Sequence, residues 1–211
     1  MRIYPLNERT LVVELGTHLS VSINRQALSL QTRLEERSVH GVLECWPTYA
    51  SLGISFDPLL ISVDALEEEV RSALSRVDED WDQSHTTVTI PVHYHNTQQE
   101  DMRSITEALG LSATEIASIH ASATYIVSML GFLPGFPYLI GLPSVLHHPR
   151  KTQPSLRLPK GAVAIGGAQT GIYPHAGPGG WHVIGHTDRK LFTPPGTFLL
   201  RAGDEVKFEP V

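Results

Sequence analysis

The sequence predicts two folded units of different class: a small α+β sandwich of ferredoxin-like character over residues 1–83, and a mainly β, closed or nearly closed barrel over 84–211. Three observations predict this. The front of the chain alternates strand pairs with amphipathic helices. The back carries many short strand signals broken by Gly and Pro, with two helices near its start. Between them lies an acidic stretch without apolar periodicity, VDEDWDQ at 77–83, which reads as a linker.

Taken in order, strands at 3–6 and 11–14 flank the turn-forming Asn7-Glu8-Arg9. Ile23, Ala27, Leu30 and Leu34 recur at helical spacing and predict a helix over 22–37. Strands over 42–46 and 49–56 make a hairpin about Pro47-Thr48, and Asp57-Pro58 ends the second. A helix follows with Asp64 as its cap and Glu67 reaching back, burying Leu66, Val70, Ala73 and Leu74. Cys45 is expected as a buried or half-buried strand residue.

The second unit opens with a strand over 86–95 and a polar turn over 96–100. His93 and His95 share one face of that strand. With no HxxxH, CxxC or carboxylate partner at ligand spacing, they read as a polar face rather than half of a metal site. Helices over 101–109 and 112–122 are split by Gly110, and Ser112-x-x-Glu115 matches a capping box. His120 ends the second helix, just before an apolar strand over 124–130. From 131 to 182 Gly and Pro are interleaved with Phe132, Phe136, Tyr138, Tyr173 and Trp181, which reads as tight turns shaping a cleft. Strands over 181–185, 197–201 and 206–209 complete the chain.

Composition bounds the function. Hydrophobic content of 41% and charge of 18% describe a folded protein, and 211 residues leave room for one or two cores. The 16 basic residues against 22 acidic exclude a broad nucleic-acid footprint. One cysteine cannot make an intrachain disulfide, and the charged start and lack of an 18-residue apolar run point to a cytoplasmic protein without membrane contact.

The stretch 131–182 has no GxxxxGK[ST] loop, no GxSxG elbow and no paired carboxylates. It supplies instead Arg150 and Arg157, each able to grip a carboxylate or phosphate with two N–H groups. Gln169, Tyr173 and Trp181 offer hydrogen bonds and flat walls, and His147, His148, His175, His182 and His186 are candidates for proton transfer. This inventory suits electrostatic handling of a small anionic or phosphorylated compound.

The motifs GFLPGFPYLIGLP, PRK, RLPKGAVAIGGAQTGIYP, PGGWHVIGHT and LLRAGDEVKF resemble the allophanate hydrolase subunit 1 family, which includes the B subunits of 5-oxoprolinase and the kinase inhibitor KipI. In the first 80 residues PTYASLGISFDP is the best match. The resemblance implies that the barrel is cyclophilin-like. It implies two partners, the C subunit (allophanate hydrolase subunit 2, KipA-like) and the A subunit, with which the chain opens 5-oxo-L-proline to L-glutamate at the expense of ATP. ATP and magnesium would be used by the complex, with no cofactor or metal indicated in this chain alone, which would be inactive or weakly active by itself. A lactam is a stabilised amide, and phosphorylating its oxygen activates it.

Carried onto matching positions, the resemblance implies catalytic roles for His120, Tyr125 and Arg157, and substrate contacts from Arg150, Gln169, Tyr173 and Trp181. The family also implies two other readings, a KipI-type inhibitor of a sensor histidine kinase and a carboxyltransferase-like component acting on a urea- or allophanate-type substrate. The chain departs from the family in two places. PVHYHNTQQEDM replaces a Gly-rich turn, and Ser155 stands where members often carry an arginine, so that one anion contact is either lost or supplied by Lys151 or Lys160.

Overall fold

The computed structural model describes residues 1–75, 86–96 and 99–211, grouped in two units, Met1–Ser84 and His85–Val211. The stretch 77–83 read as a linker, and part of the polar turn over 96–100, lie outside the described residues.

The first unit runs β1 (Arg2–Asn7), β2 (Thr10–Glu14), α1 (Val21–Arg37), β3 (Val42–Pro47), β4 (Ser51–Phe56) and α2 (Val63–Leu74). Its antiparallel sheet has the order β1-β2-β4-β3. Leu11, Val13, Leu52, Ile54 and Phe56 meet Leu30 and Leu34 of α1 and Leu66 and Val70 of α2 in one core, each such burial stabilising by about 1.5–3 kcal/mol. The pattern ββαββα contains a split β-α-β unit, with β4 between β2 and β3, but its outer strand comes from the start of the chain rather than the end. The cap of α2 is Ser62, whose Oγ accepts the Ala65 N–H at 3.2 Å, and Asp64 sits in the first turn, where its charge suits the helix dipole. Cys45 is buried on β3, and burial with Glu35 and Glu44 nearby pushes its thiol up to about 12.

The second unit begins with β5 (Thr87–Tyr94), α3 (Glu100–Leu109), α4 (Ala113–Ser122), β6 (Thr124–Leu130), β7 (Pro137–Ile140), β8 (Ser155–Leu158) and β9 (Ala162–Gly166). It continues with β10 (Gln169–Ile172), β11 (Gly177–Gly179), β12 (His182–His186), β13 (Phe192–Thr193), β14 (Thr197–Phe198) and β15 (Glu205–Pro210). Seven strands close a barrel in the order β10-β7-β6-β15-β5-β12-β9. Closure depends on the last strand lying parallel to the first of the unit, from Glu205↔Thr87 to Pro210↔Val92. The interior is filled by Ile90, Val92, Val127, Leu139, Val163, Ile165, Ile172, Ile184, Val206 and Phe208, with Met102 and Ile105 of α3 and Ile116 of α4 added to it. The capping box at Ser112 and Glu115 is present in both directions.

The stretch 131–182 holds more regular structure than its Gly and Pro content announces: β7, β9 and β10 are barrel strands, and β8 pairs with β11 in a separate ribbon. The strand expected over 197–201 is only Thr197–Phe198, paired with β13. Among the described residues, no helix is long and apolar enough to cross a membrane.

Candidate functional site

β9 and β10 present two faces, and the polar residues on each meet different fates. Inward, Thr170 lies opposite Ile165 in register, in the barrel interior. Its hydroxyl donates to the Ala164 carbonyl at 3.0 Å, so it accepts from His120 Nε2–H at 2.9 Å. His120 Nδ1 is thereby left to accept the Tyr94 hydroxyl at 2.7 Å, and the Tyr125 hydroxyl donates to the His120 carbonyl at 2.7 Å. The ring packs 4.5 Å from Phe208 and 5.2 Å from Tyr125 between centroids. Burial lowers the His120 pKa to about 3 and raises those of Tyr94 and Tyr125, so the imidazole is neutral with every polar atom matched.

His120, expected as a proton-transfer or orienting group, and Tyr125, expected as a catalytic residue, both lie in this interior line. Both residues have zero exposure, and their polar atoms are taken up by partners within the barrel. Ring N–H groups of His147, His182 and His186 likewise donate to the carbonyls of Leu142, Pro149 and Lys160.

Outward, Ala162, Ala164, Gly166, Gln169 and Gly171 share the other face. Phe136, Leu158, Tyr173, Trp181 and Val183 make a second core on it. The glycines are required: a Cβ on Gly166 would lie 2.7 Å from Trp181 Cγ, and one on Gly171 would lie 3.0 Å from Trp181 Cζ3. Trp181 therefore lies flat across β9 and β10. Phe136 meets Tyr138, Tyr173 and Trp181 edge-on at 4.9, 5.0 and 5.7 Å, and Tyr138 meets Trp181 at 5.7 Å. Burial pushes the Tyr173 hydroxyl up to about 12. Arg150 sets its guanidinium 5.7 Å from the Trp181 ring centroid, and its charge partly offsets the burial that raises Tyr138.

The segment carrying Arg150 is fastened at both ends. His148 and Gly167 exchange backbone hydrogen bonds of 3.2 and 2.7 Å, and the Lys151 N–H donates to the Gly180 carbonyl at 2.7 Å. Lys151 Nζ donates to Asp101 Oδ2 at 2.7 Å and to Ser155 Oγ at 2.8 Å, and the same Asp101 oxygen accepts the Val183 N–H at 2.8 Å. Lys151 and Asp101 are only 13% and 18% exposed. Of the three alternatives at Ser155, the Lys151 one meets a charge already paired with Asp101.

The structure thus gathers Arg150, Gln169, Tyr173 and Trp181 on one outer face and leaves His120 and Tyr125 inside the barrel. Arg157 is exposed on β8, with no ion pair or hydrogen bond among the described residues. Three residues at or beside this face were not among the expected site residues, although Phe132 and Tyr138 were read as shaping the cleft. Tyr138 stands in the GFLPGFPYLIGLP motif and was legible there as a wall residue. Phe132, 60% exposed at φ 67°, carries a left-handed backbone conformation that a sequence does not display. Asp101 had no signal, since 82 residues separate it from Val183. Among the described residues, no group of three His, Cys, Asp or Glu is placed to hold a metal ion.

A family model described as carboxyltransferase domain, subdomain C and D, matches residues 1–197. The chain belongs to that family. Within it, the chain is 36% identical to the B subunit of 5-oxoprolinase from Bacillus subtilis, over 98% of its own length and 91% of the relative's. It is also 36% identical to the 5-oxoprolinase B subunit of Escherichia coli O157:H7, over 99% of this chain and 95% of that one. The crystal structure of TTHA0988 in space group P212121 matches 96% of this chain with a TM-score of 0.84 and 35% identity, and this family member spans 40% of that longer chain.

Proposed function

We propose that this chain is the B subunit of an ATP-dependent 5-oxoprolinase, which opens 5-oxo-L-proline to L-glutamate together with the A and C subunits. The observation that carries the reading is near full-length identity of 36% to proteins named as the B subunit of that enzyme. A kinase inhibitor or a urea- or allophanate-directed component is not favoured by those names. The finer features of the fold, a cyclophilin-like barrel and a ferredoxin-like first unit, belong to the same proposal, as does a cytoplasmic location.

The outer face supports the reading chemically. 5-Oxoproline is a small flat ring bearing one carboxylate, and it needs a wall and a cation. In this reading half-buried Tyr138, with the 4% of Trp181 that is exposed, supplies the wall, and Arg150 supplies a two-pronged grip on the carboxylate. Arg157, exposed on the β8 ribbon, is a second cation for a phosphorylated intermediate. Asp101, the carboxylate beside the cluster, is occupied by Lys151 and the Val183 N–H. The residues described around Trp181 therefore do not fit a magnesium–ATP site, and the nucleotide falls to the partner proteins in this proposal.

The test is glutamate formation from 5-oxoproline and ATP by the three purified proteins, with this chain present or omitted. Turnover that requires this chain, and that falls in Arg157→Ala with assembly intact, supports the reading. ATP consumption indifferent to 5-oxoproline would sink it.

A further inference from the structure

Gln169 opens β10 with a side chain 4% exposed and an Nε2 donor that has no hydrogen-bond partner among the described residues. Unmatched buried amide donors are rare in folded proteins because they lose water without replacing it. Gln169 lies opposite Gly166 in register, and cross-strand partners share a face. Gln169 therefore shares the outer face of β9 and β10 with Gly166 and Gly171, which the Trp181 indole covers, and Arg150 sets its guanidinium over that indole.

We propose that Gln169 reads the edge of a cis-amide, so that the outer face takes a small lactam against Trp181 with its carboxylate toward Arg150. A ring of five holds an amide cis, and its N–H and C=O then point the same way. A glutamine carboxamide presents an N–H and an oxygen side by side and meets that edge with two antiparallel hydrogen bonds. An open-chain trans amide points its two groups apart and satisfies only one. The pairing uses both atoms of the carboxamide, so it does not depend on which of them is assigned as nitrogen. Gln169 binds and selects in this scheme, and no proton or covalent step is assigned to it. The inference rests on the 5-oxoprolinase reading for the identity of the lactam.

Titration calorimetry on the chain alone, and on the complex with its partner proteins, tests this with three probes: 5-oxo-L-proline, its N-methyl derivative and the open-chain N-acetylglycine. The expected result is 5-oxoproline binding at least about tenfold tighter than either of the others, the scale set by one lost buried hydrogen bond. In Gln169→Leu the three affinities converge to within about threefold. The thermal midpoint of that variant is not lowered, since the substitution removes an unmatched donor, and Gln169→Asn gives intermediate discrimination. Full discrimination retained in Gln169→Leu, or no binding of any probe by chain or complex, overturns the subsite. Lactam binding that depends on Gln169 without glutamate formation removes the functional reading and leaves the subsite standing. Glutamate formation with a KM unmoved by Gln169→Leu does the reverse.

Discussion

The two faces of β9 and β10 are built from the same strands and reach opposite solutions for their polar groups. Inside, Tyr94, His120, Thr170 and the Ala164 carbonyl form one hydrogen-bonded line in which each donor has an acceptor. Outside, among the described residues, the Gln169 donor has no hydrogen-bond partner and Arg150 lies over the Trp181 ring. A matched, sealed line fixes structure. A buried donor without a partner is the feature on which the proposed subsite rests.

Removing the inner line gives the largest effect. His120→Leu fills the space but leaves the Tyr94 hydroxyl without its acceptor and costs about 3 kcal/mol of stability, read as a lower urea midpoint. Activity per folded molecule should change less than about twofold, because a frame residue acts through folding. Lost activity with unchanged stability would reverse the assignment of the two faces.

Arg150→Ala should show the opposite profile. Losing a charge-assisted grip lowers kcat/KM for 5-oxoproline about 30-fold, or about 2 kcal/mol. The urea midpoint of that variant should stay within error, since the side chain is exposed.

What the sequence showed and hid follows the range of the forces involved. Helices α1, α3 and α4 were legible because their periodicity and caps are local, and Ser112-x-x-Glu115 is complete within four residues. β9 was hidden because it is buried on both faces, so Ala162–Gly166 shows no alternation. The closing pair β5–β15 joins Thr87 to Glu205, and no local pattern announces that. Arg150, Gln169, Tyr173 and Trp181 were legible as chemistry by residue type and motif. The burial of His120 was not, because it sits in the last turn of α4 and is enclosed by Tyr94, Thr170 and Phe208, all distant in sequence.

Acid should separate the faces again. His120 is neutral when folded, with its pKa lowered to about 3 by burial, and titrates near the ordinary value of 6.5 when unfolded. The unfolded chain alone takes up that proton as the pH falls from about 6.5, so stability contributed above this value is lost on the way down at about 1.4 kcal/mol per pH unit. His95 and His182, both lowered first by burial, add to the same slope. Urea midpoints at pH 7.5 and 5.5 should differ less in His120→Leu than in the parent, by about one proton's worth.

The smallest effect is expected at Phe132, and it sharpens the contrast most. A side chain at φ 67° costs about 1 kcal/mol relative to glycine. Here it is spent on a ring 60% exposed, edge-on to Phe136 at 5.8 Å and to Tyr173 at 6.5 Å. Phe132→Gly relieves the backbone and forfeits those ring contacts, each worth about 0.5–1.5 kcal/mol when fully packed and less when exposed, so stability should move by no more than about 0.5 kcal/mol. If the ring is held there to extend the Trp181 wall, KM for 5-oxoproline rises severalfold while kcat holds. An unchanged KM would assign Phe132 to the turn alone and shrink the working face to Arg150, Gln169, Tyr138 and Trp181.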